Sequence, residues 1–267
     1  MKLDVLAIGA HPDDVELGCG GTLAVLARQG KKVGILHLTR GEMGTRGTAE
    51  ERIAEAEAAA RALGAVEMDF LDCGDGGLRA GPAEEDALIG KIRLWRPDLV
   101  LGPTPADRHP DHGRAHRLVE AACFYSGLRN RASEAGAAFR PAAVFSYMQH
   151  DHFTPSFLVD VSAGWEAKIE SMRAYRSQLH GGRREPVEGI VGAGLAPARE
   201  GTSPSPTKAE EQELPVTKVS TPEFWYAVEG RARHFGEIIS VAYAEPFWSR
   251  GPLAVADPTS ILPGGVR

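Results

Sequence analysis

Cysteine is scarce in this chain, and no apolar segment is long enough to cross a bilayer. The 267 residues include three cysteines, Cys19, Cys73 and Cys123, and none of them belongs to a Cys-x-x-Cys pair. This argues against a disulfide framework and a cysteine-based zinc site, and it is typical of free thiols in a reducing compartment. The apolar stretch near the N-terminus is short and runs directly into charged residues, unlike a signal peptide. We therefore predict a cytoplasmic protein without a membrane anchor.

Positive charge is also in deficit. Lysine and arginine number 30 against 36 aspartates and glutamates, which gives a net charge of −6. Because an acidic surface repels phosphate groups, we expect neither a nucleic-acid partner nor an anionic membrane partner. Hydrophobic residues make up 43% of the chain, which is ordinary for a globular protein, and the length suits one large α/β domain or two small ones.

Strand-like and helix-like segments alternate along most of the chain. Short apolar runs predict strands at 3–9, 33–38, 66–72, 98–102, 143–149 and 157–161. Amphipathic stretches with capping signals predict helices at 21–29, 48–63, 83–95, 112–128, 164–179 and 222–239. This alternation predicts an α/β fold of the Rossmann-like type, a mainly parallel sheet flanked by helices on both faces. In such folds the functional site lies beyond the carboxyl ends of the strands.

One segment breaks the alternation. Residues 181–217 are rich in Gly, Pro, Ser, Thr, Glu and Lys and contain few large apolar side chains. Such a composition buries too little apolar surface to offset the entropy of ordering the segment. We therefore predict a single domain over 1–255, interrupted by a low-complexity insertion at 181–217 and followed by a C-terminal tail at 256–267.

Two related polar motifs follow predicted strands. His-Pro-Asp-Asp at 11–14 follows the first strand, and Asp-Arg-His-Pro-Asp-His at 107–112 follows the fourth. Either motif alone could be a capped turn or the polar start of a helix. Because the carboxyl ends of parallel strands meet at one edge of a sheet, their joint presence predicts that they build a shared site.

The residue types of these motifs point to a metal. Imidazole and carboxylate are good zinc ligands, and His11 and Asp14 are close enough in sequence to reach one ion. The second motif adds His109 and His112. Two histidines and one carboxylate leave a coordination position for water, whose pKa zinc lowers to about 7, and Asp13 is the natural base for its proton. These residues predict a zinc-dependent hydrolase, although Fe²⁺ and other divalent ions also suit such a site.

Loops at the same predicted edge supply candidate substrate contacts. In the loop at 41–47, Glu42 and Arg46 are candidates, and Arg52 heads the following helix. Asp75 lies in a glycine-rich turn after the third strand and could accept hydrogen bonds from sugar hydroxyls. The alternatives are an exposed surface loop and simple turn formation.

Three glycines, Gly18, Gly20 and Gly21, follow the first motif. They do not match the G-x-G-x-x-G fingerprint of dinucleotide-binding folds, because position 23 is Leu. Two aspartates in the preceding turn would also repel a pyrophosphate. We expect these glycines to allow close packing of a helix on the sheet.

The motifs together resemble a known family. A-H-P-D-D at 10–14, G-E-M-G-T-R-G at 41–47 and R-H-P-D-H at 108–112 are similar to the LmbE/PIG-L-like zinc N-acetylglucosamine deacetylases. The loop G-E-M-G-T-R-G and the later segment Tyr-Ala-Glu-Pro-Phe at 243–247 resemble one branch of this family. That branch acts on N-acetyl-alpha-D-glucosaminyl L-malate in bacillithiol biosynthesis. The resemblance covers roughly residues 3–180 and 219–255.

The resemblance implies a division of roles. It implies that His11, Asp14 and His112 are the zinc ligands. Asp13 would be the general base and then the proton donor to the leaving amine. His109 would stabilise the charge that develops on the tetrahedral intermediate.

It also implies substrate contacts and an assembly. Arg52 and Arg108 match substrate-facing positions, where cations suit the carboxylates of malate, and Asp75 matches a sugar-binding position. Some members place a tyrosine near the active site where this chain has Phe224, with Tyr226 close by. The substrate would be a small-molecule glycoside, and a homo-oligomer such as a hexamer is expected.

Two alternatives remain at this point. The first is a deacetylase of another N-acetylglucosamine or thiol conjugate. The second is a non-catalytic sugar-binding or nucleotide-binding α/β module, which would have no need of a base that activates water.

Overall fold

The computed structural model describes residues 1–179 and 216–255. It contains seven strands: β1 (Val5–Gly9), β2 (Val33–His37), β3 (Glu67–Phe70), β4 (Leu99–Gly102), β5 (Ala143–Tyr147), β6 (Phe157–Asp160) and β7 (Ala244–Trp248). The helices are α1 (Asp14–Arg28), α2 (Ala49–Leu63), α3 (Pro82–Trp95), α4 (Pro110–Tyr125), α5 (Trp165–Ala174) and α6 (Pro222–Ile238). Short 3₁₀ turns lie at Ser133–Ala135, Ser162–Gly164 and Lys218–Ser220. Among the described residues, no helix has the length and apolar character needed to span a membrane.

All seven strands form one sheet in the order β3-β2-β1-β4-β5-β7-β6. The first five strands of this order run parallel, whereas β7 is antiparallel to both β5 and β6. The predicted mainly parallel α/β fold is confirmed, and each predicted strand is present. Strand β7 was not predicted, because it contains Pro246, a residue that cannot donate to a sheet ladder.

Both faces of the sheet are covered. Successive residues of β1 point to opposite sides, so Leu6 and Ile8 join one buried apolar cluster while Val5 and Ala7 join another. This explains why β1 is apolar throughout rather than alternating with polar residues.

Helix α1 begins at Asp14, seven residues before the predicted start at 21. The glycines obscure this start, because glycine disfavours a helix interior. Their predicted packing role is confirmed at Gly18, where an added Cβ would lie 2.2 Å from Cδ2 of Tyr147. The helix kinks at Cys19. Just beyond the kink, the carboxylate of Glu245 on β7 accepts hydrogen bonds from the backbone N–H groups of Gly21 and Thr22.

The boundaries of α2 follow their signals, whereas α5 ends at Ala174 rather than at the predicted 179. Thr48 and Glu51 form the predicted capping box at the start of α2, and Gly64 ends that helix with a φ of 75°. Of the predicted insertion at 181–217, only residues 216 and 217 are described, and they lead into the last 3₁₀ turn. The rest of the insertion and the predicted tail at 256–267 lie outside the described residues.

Candidate metal centre

The two His-Pro-Asp turns meet at the carboxyl edge of the sheet. Strands β1 and β4 are parallel neighbours, so the segments that follow them emerge side by side. The ring centroid of His11 lies 4.8 Å from that of His109 and 5.7 Å from that of His112. Sequence positions about a hundred residues apart thus form one cluster of imidazoles, as the motifs predicted.

Asp14 lies between two of these histidines. Its Oδ2 is 3.4 Å from Nδ1 of His11, and its Oδ1 is 3.3 Å from Nε2 of His112. All three side chains are at most 10% exposed. Ligand nitrogens of His11, His109 and His112 lie within 4.8 Å of one another. A buried group of imidazole and carboxylate donors at this spacing fits a metal site.

Further carboxylates face the opposite nitrogens of these rings. Nε2 of His11 lies 3.1 Å from Oδ1 of Asp75 and 3.5 Å from Oδ2 of Asp111. Nδ1 of His112 lies 3.4 Å from Oδ1 of Asp107. Neither nitrogen makes a well-aligned hydrogen bond within the described part of the chain. Each ring therefore lies between Asp14 and an outer carboxylate, an arrangement that spacing alone did not predict.

Asp13 occupies a strained position beside the cluster. It precedes α1 with a φ of 99°, a left-handed conformation that is uncommon outside glycine. Its side chain is 13% exposed. Burial raises the pKa of Asp13 to about 7, although the nearby Arg52 guanidinium opposes this. A buried carboxyl with a pKa near neutrality suits proton transfer.

Arg52 is buried against the turn that carries Asp13. Its guanidinium donates to the carbonyl of Pro12 at 2.6 Å and to the carbonyl of Gly41 at 3.2 Å. Gly41 has a φ of 70°, and a Cβ there would lie 2.0 Å from Nη1 of Arg52. The Arg52 guanidinium thus links the loop at 41–47 to the turn after β1. The expected substrate contact by Arg52 stays a prediction.

His109 has a defined proton position. As the N-cap residue of α4, it accepts the backbone N–H of Asp111 on Nδ1 at 3.2 Å. Burial lowers the pKa of His109, and the neighbouring His11 and His112 lower it further. A neutral imidazole that accepts on Nδ1 must carry its proton on Nε2. His109 is therefore a neutral hydrogen-bond donor.

The loop at 41–47 and the turn that carries Asp75 are hydrogen-bonded to each other. Glu42 accepts the backbone N–H of Asp75 at 2.9 Å and that of Arg40 at 3.0 Å. In return, Oδ2 of Asp75 accepts the N–H of Met43 at 2.8 Å. The carboxylates of Glu42 and Asp75 thus stabilise the conformation of both loops. Their expected contacts with substrate stay predictions.

Two arginines that are candidate substrate contacts, Arg46 and Arg108, differ in exposure. Arg108 is exposed, and Arg46 is half-buried with a buried Nε that has no hydrogen-bond partner among the described residues. Both side chains retain donors that could reach a bound anion. Their predicted contacts with substrate are not tested by this geometry.

The structure adds site residues that the sequence analysis did not assign. Gln149 donates to Oδ1 of Asp14. The ring of His150 stacks on His112 with centroids 5.7 Å apart. Phe224 packs near His150, with centroids 6.2 Å apart, whereas Tyr226 is 55% exposed. Position 224 thus places an aromatic ring without a hydroxyl beside His150.

Glu16 is a buried acidic residue in the first turn of α1. Glu16 is 0% exposed and accepts the hydroxyl of Tyr175 at 3.1 Å. Burial raises the pKa of Glu16 to about 8. A glutamate in the first turn of a helix gave no signal for such burial, because acidic residues are common there.

Comparisons with known proteins establish the family. The protein-family model described as "PIG-L: GlcNAc-PI de-N-acetylase" matches residues 6–123. The diacetylchitobiose deacetylase of Thermococcus kodakarensis is 34% identical over 186 residues, which cover 66% of this chain and 70% of that protein. The chain belongs to the PIG-L family. The recognised family is confirmed, and both findings identify the chain as a deacetylase, a hydrolase that acts on amides.

Two further relatives bear on substrate and fold. A 1D-myo-inositol 2-acetamido-2-deoxy-alpha-D-glucopyranoside deacetylase of Corynebacterium efficiens is 29% identical over 227 residues, covering 66% of this chain and 72% of that protein. A conserved protein of Thermus thermophilus has a crystal structure with a TM-score of 0.77 and 37% identity, covering 96% of this chain and 98% of that one. N-acetylglucosamine-containing compounds are the substrate class that the comparisons support.

Proposed function

We propose that this protein is a zinc-dependent deacetylase that hydrolyses N-acetylglucosaminyl-malate to acetate and the free amine. The observation that carries the proposal is the position of Asp14 between His11 and His112, with Asp13 and His109 beside them. A binding module without turnover needs no such pairing of ligand and base.

Each group has a distinct task in this proposal. His11, Asp14 and His112 hold the ion, which supplies a Lewis acid and lowers the pKa of water. Asp13 takes the proton from the attacking water and passes it to the leaving amine. Its burial and strained backbone fix the carboxylate near the ligands without making it one of them.

His109 stabilises negative charge on the amide oxygen. Because its Nδ1 accepts the N–H of Asp111, its Nε2–H is free to donate. A donor whose orientation is set before reaction stabilises the oxyanion without reorganising. The ring of His150 stacks on His112 and Phe224 packs near His150, so aromatic side chains line one side of the cluster.

The assignment of the malate conjugate as the substrate rests on the positive charge of two arginines. Arg108 is exposed and Arg46 has an unpartnered Nε among the described residues, so both can pair with the carboxylates of malate. The loop at 41–47 supports the glucosaminyl-malate branch. The segment at 243–247 supports it less directly, because Glu245 is buried against Lys168 and α1 rather than at the rim.

The test is acetate release from N-acetylglucosaminyl-malate and, in parallel, from diacetylchitobiose. We expect faster release from the malate conjugate, loss of activity with a chelator, and recovery with Zn²⁺. Release from diacetylchitobiose alone would move the assignment to neutral saccharides. Activity that survives complete removal of metal would contradict the mechanism.

The proposal includes an organisation for the chain. We infer a single cytoplasmic deacetylase domain at 1–255, interrupted by the insertion at 181–217, and a homo-oligomer, a hexamer by family resemblance. Sedimentation measures the assembly, and a monomer at working concentration would contradict that part.

A further inference from the structure

Three groups of the site converge on Asp107. Its Oδ1 accepts the backbone N–H of His109 at 3.2 Å, and its Oδ2 accepts that of His150 at 3.0 Å. The same Oδ1 lies 3.4 Å from Nδ1 of His112, and the Asp107 side chain is 0% exposed. A fully buried carboxylate is costly unless its oxygens are satisfied. Here the groups that satisfy it all belong to the candidate metal centre.

The ring of His112 has two different neighbours. Its Nε2 faces Oδ1 of Asp14 at 3.3 Å, toward the ligand cluster, and its Nδ1 faces Asp107. Nδ1 makes no well-aligned hydrogen bond within the described residues, and the carboxylate of Asp107 is the charged group that lies beside it. An imidazole that ligates a metal must present a bare nitrogen, so its one proton must lie on the other. A carboxylate beside Nδ1 favours the proton there.

We propose that Asp107 is a positioning residue of the metal centre, which holds the proton of His112 on Nδ1 and so presents Nε2 to the ion. This role rests on the proposed metal-dependent function. Asp107 touches neither substrate nor ion in this role and acts only through His112. The same carboxylate fixes the backbone of His109 and His150, so the donor, the ligand and the stacked ring share one anchor.

The first experiment replaces Asp107 with asparagine. Asp107→Asn keeps the size of the side chain but removes the charge and turns an amide N–H₂ toward groups that donate. The dissociation constant for Zn²⁺, measured by competition with a chromophoric chelator, should rise about 10–100-fold. The matched control is Asp151→Asn, which makes the same change at an exposed neighbouring position and should leave zinc affinity unchanged.

The second experiment reads the proton directly. In the zinc-loaded, ¹⁵N-histidine-labelled protein, NMR should show the His112 proton on Nδ1. In Asp107→Asn this signal should be lost or exchange with water much faster. A purely structural role would lower the melting temperature without moving this signal.

The outcomes separate the possibilities. A His112 proton on Nε2 in the unsubstituted protein would overturn the proposal, even if Asp107→Asn failed to fold. Unchanged zinc affinity and an unchanged His112 signal in Asp107→Asn would also overturn it. Tight zinc binding without deacetylation of any N-acetylglucosamine compound would contradict the proposed function alone. Failure of the unsubstituted protein to bind Zn²⁺ would overturn both.

Discussion

Nη2 of Arg52 lies 3.6 Å from Oδ2 of Asp13, and the same nitrogen donates to the carbonyl of Pro12 at 2.6 Å. The arginine therefore holds both the backbone and the carboxylate of the turn that follows β1. Its positive charge opposes the rise that burial causes in the pKa of Asp13. The proposed base is thus tuned by a residue that reaches it from the start of α2.

Asp13→Asn should abolish most turnover while metal stays bound. Asparagine tolerates the left-handed backbone at this position better than alanine, so the turn is preserved. Loss of a general base should lower kcat by about 10²–10⁴-fold. Acetate release and metal content are measured on the same preparation. Full activity would remove Asp13 from the mechanism, and loss of metal would make it a ligand.

His112→Ala should lose most of the bound metal. Its Nε2 faces Asp14, and no other ring replaces it in that position within the described residues. The control is His152→Ala, because His152 is exposed on the loop after β5. Elemental analysis after exhaustive dialysis measures the metal. Equal occupancy in both variants would exclude His112 from the ligand set.

Arg108→Ala should weaken binding only of an acidic substrate. A charge-assisted hydrogen bond contributes about 1.5–3 kcal/mol, so KM for N-acetylglucosaminyl-malate should rise about 10–100-fold. KM for diacetylchitobiose should stay the same, because that sugar carries no charge. Arg129→Ala, at another exposed arginine, is the control. An equal rise for both substrates would contradict recognition of the malate carboxylates.

Glu16→Gln should stabilise the metal-free protein at alkaline pH. Burial raises the pKa of Glu16 from 4.5 to about 8, so between these values the folded state binds more protons than the unfolded state. Stability from this group therefore falls as pH rises from about 4.5 to about 8. Glutamine removes that loss and keeps an acceptor for Tyr175.

Urea unfolding at pH 4 and pH 9, with chelator present, measures the effect of Glu16→Gln. The gain in free energy of unfolding should be small at pH 4 and reach at most about 5 kcal/mol at pH 9. Glu170→Gln, at an exposed position on α5, should change stability little at either pH. An equal gain at both pH values would show that Glu16 does not titrate with folding.

The sequence by itself determined the parallel strands of the sheet, the two turns and the family. The uninterrupted apolar run of β1 predicts a strand buried on both faces, and the turn after it presents residues 11–14 at the carboxyl edge. Thr48 and Gly64 predict the ends of α2 because their signals are local. Strand β7 was missed because its pairing with β5 and β6 is a long-range property that its own residues do not reveal.

Only the tertiary structure decided which groups face the ligand histidines. Asp75 follows β3 and reads locally as a turn residue, yet its carboxylate lies 3.1 Å from Nε2 of His11. Asp107 is the first residue of the second motif, and its type and position give no signal of this role, yet it faces Nδ1 of His112. Residue type and spacing select the chemistry of a ligand. The orientation of a ring depends on which carboxylates lie beside it, and only the folded conformation of the loops decides that.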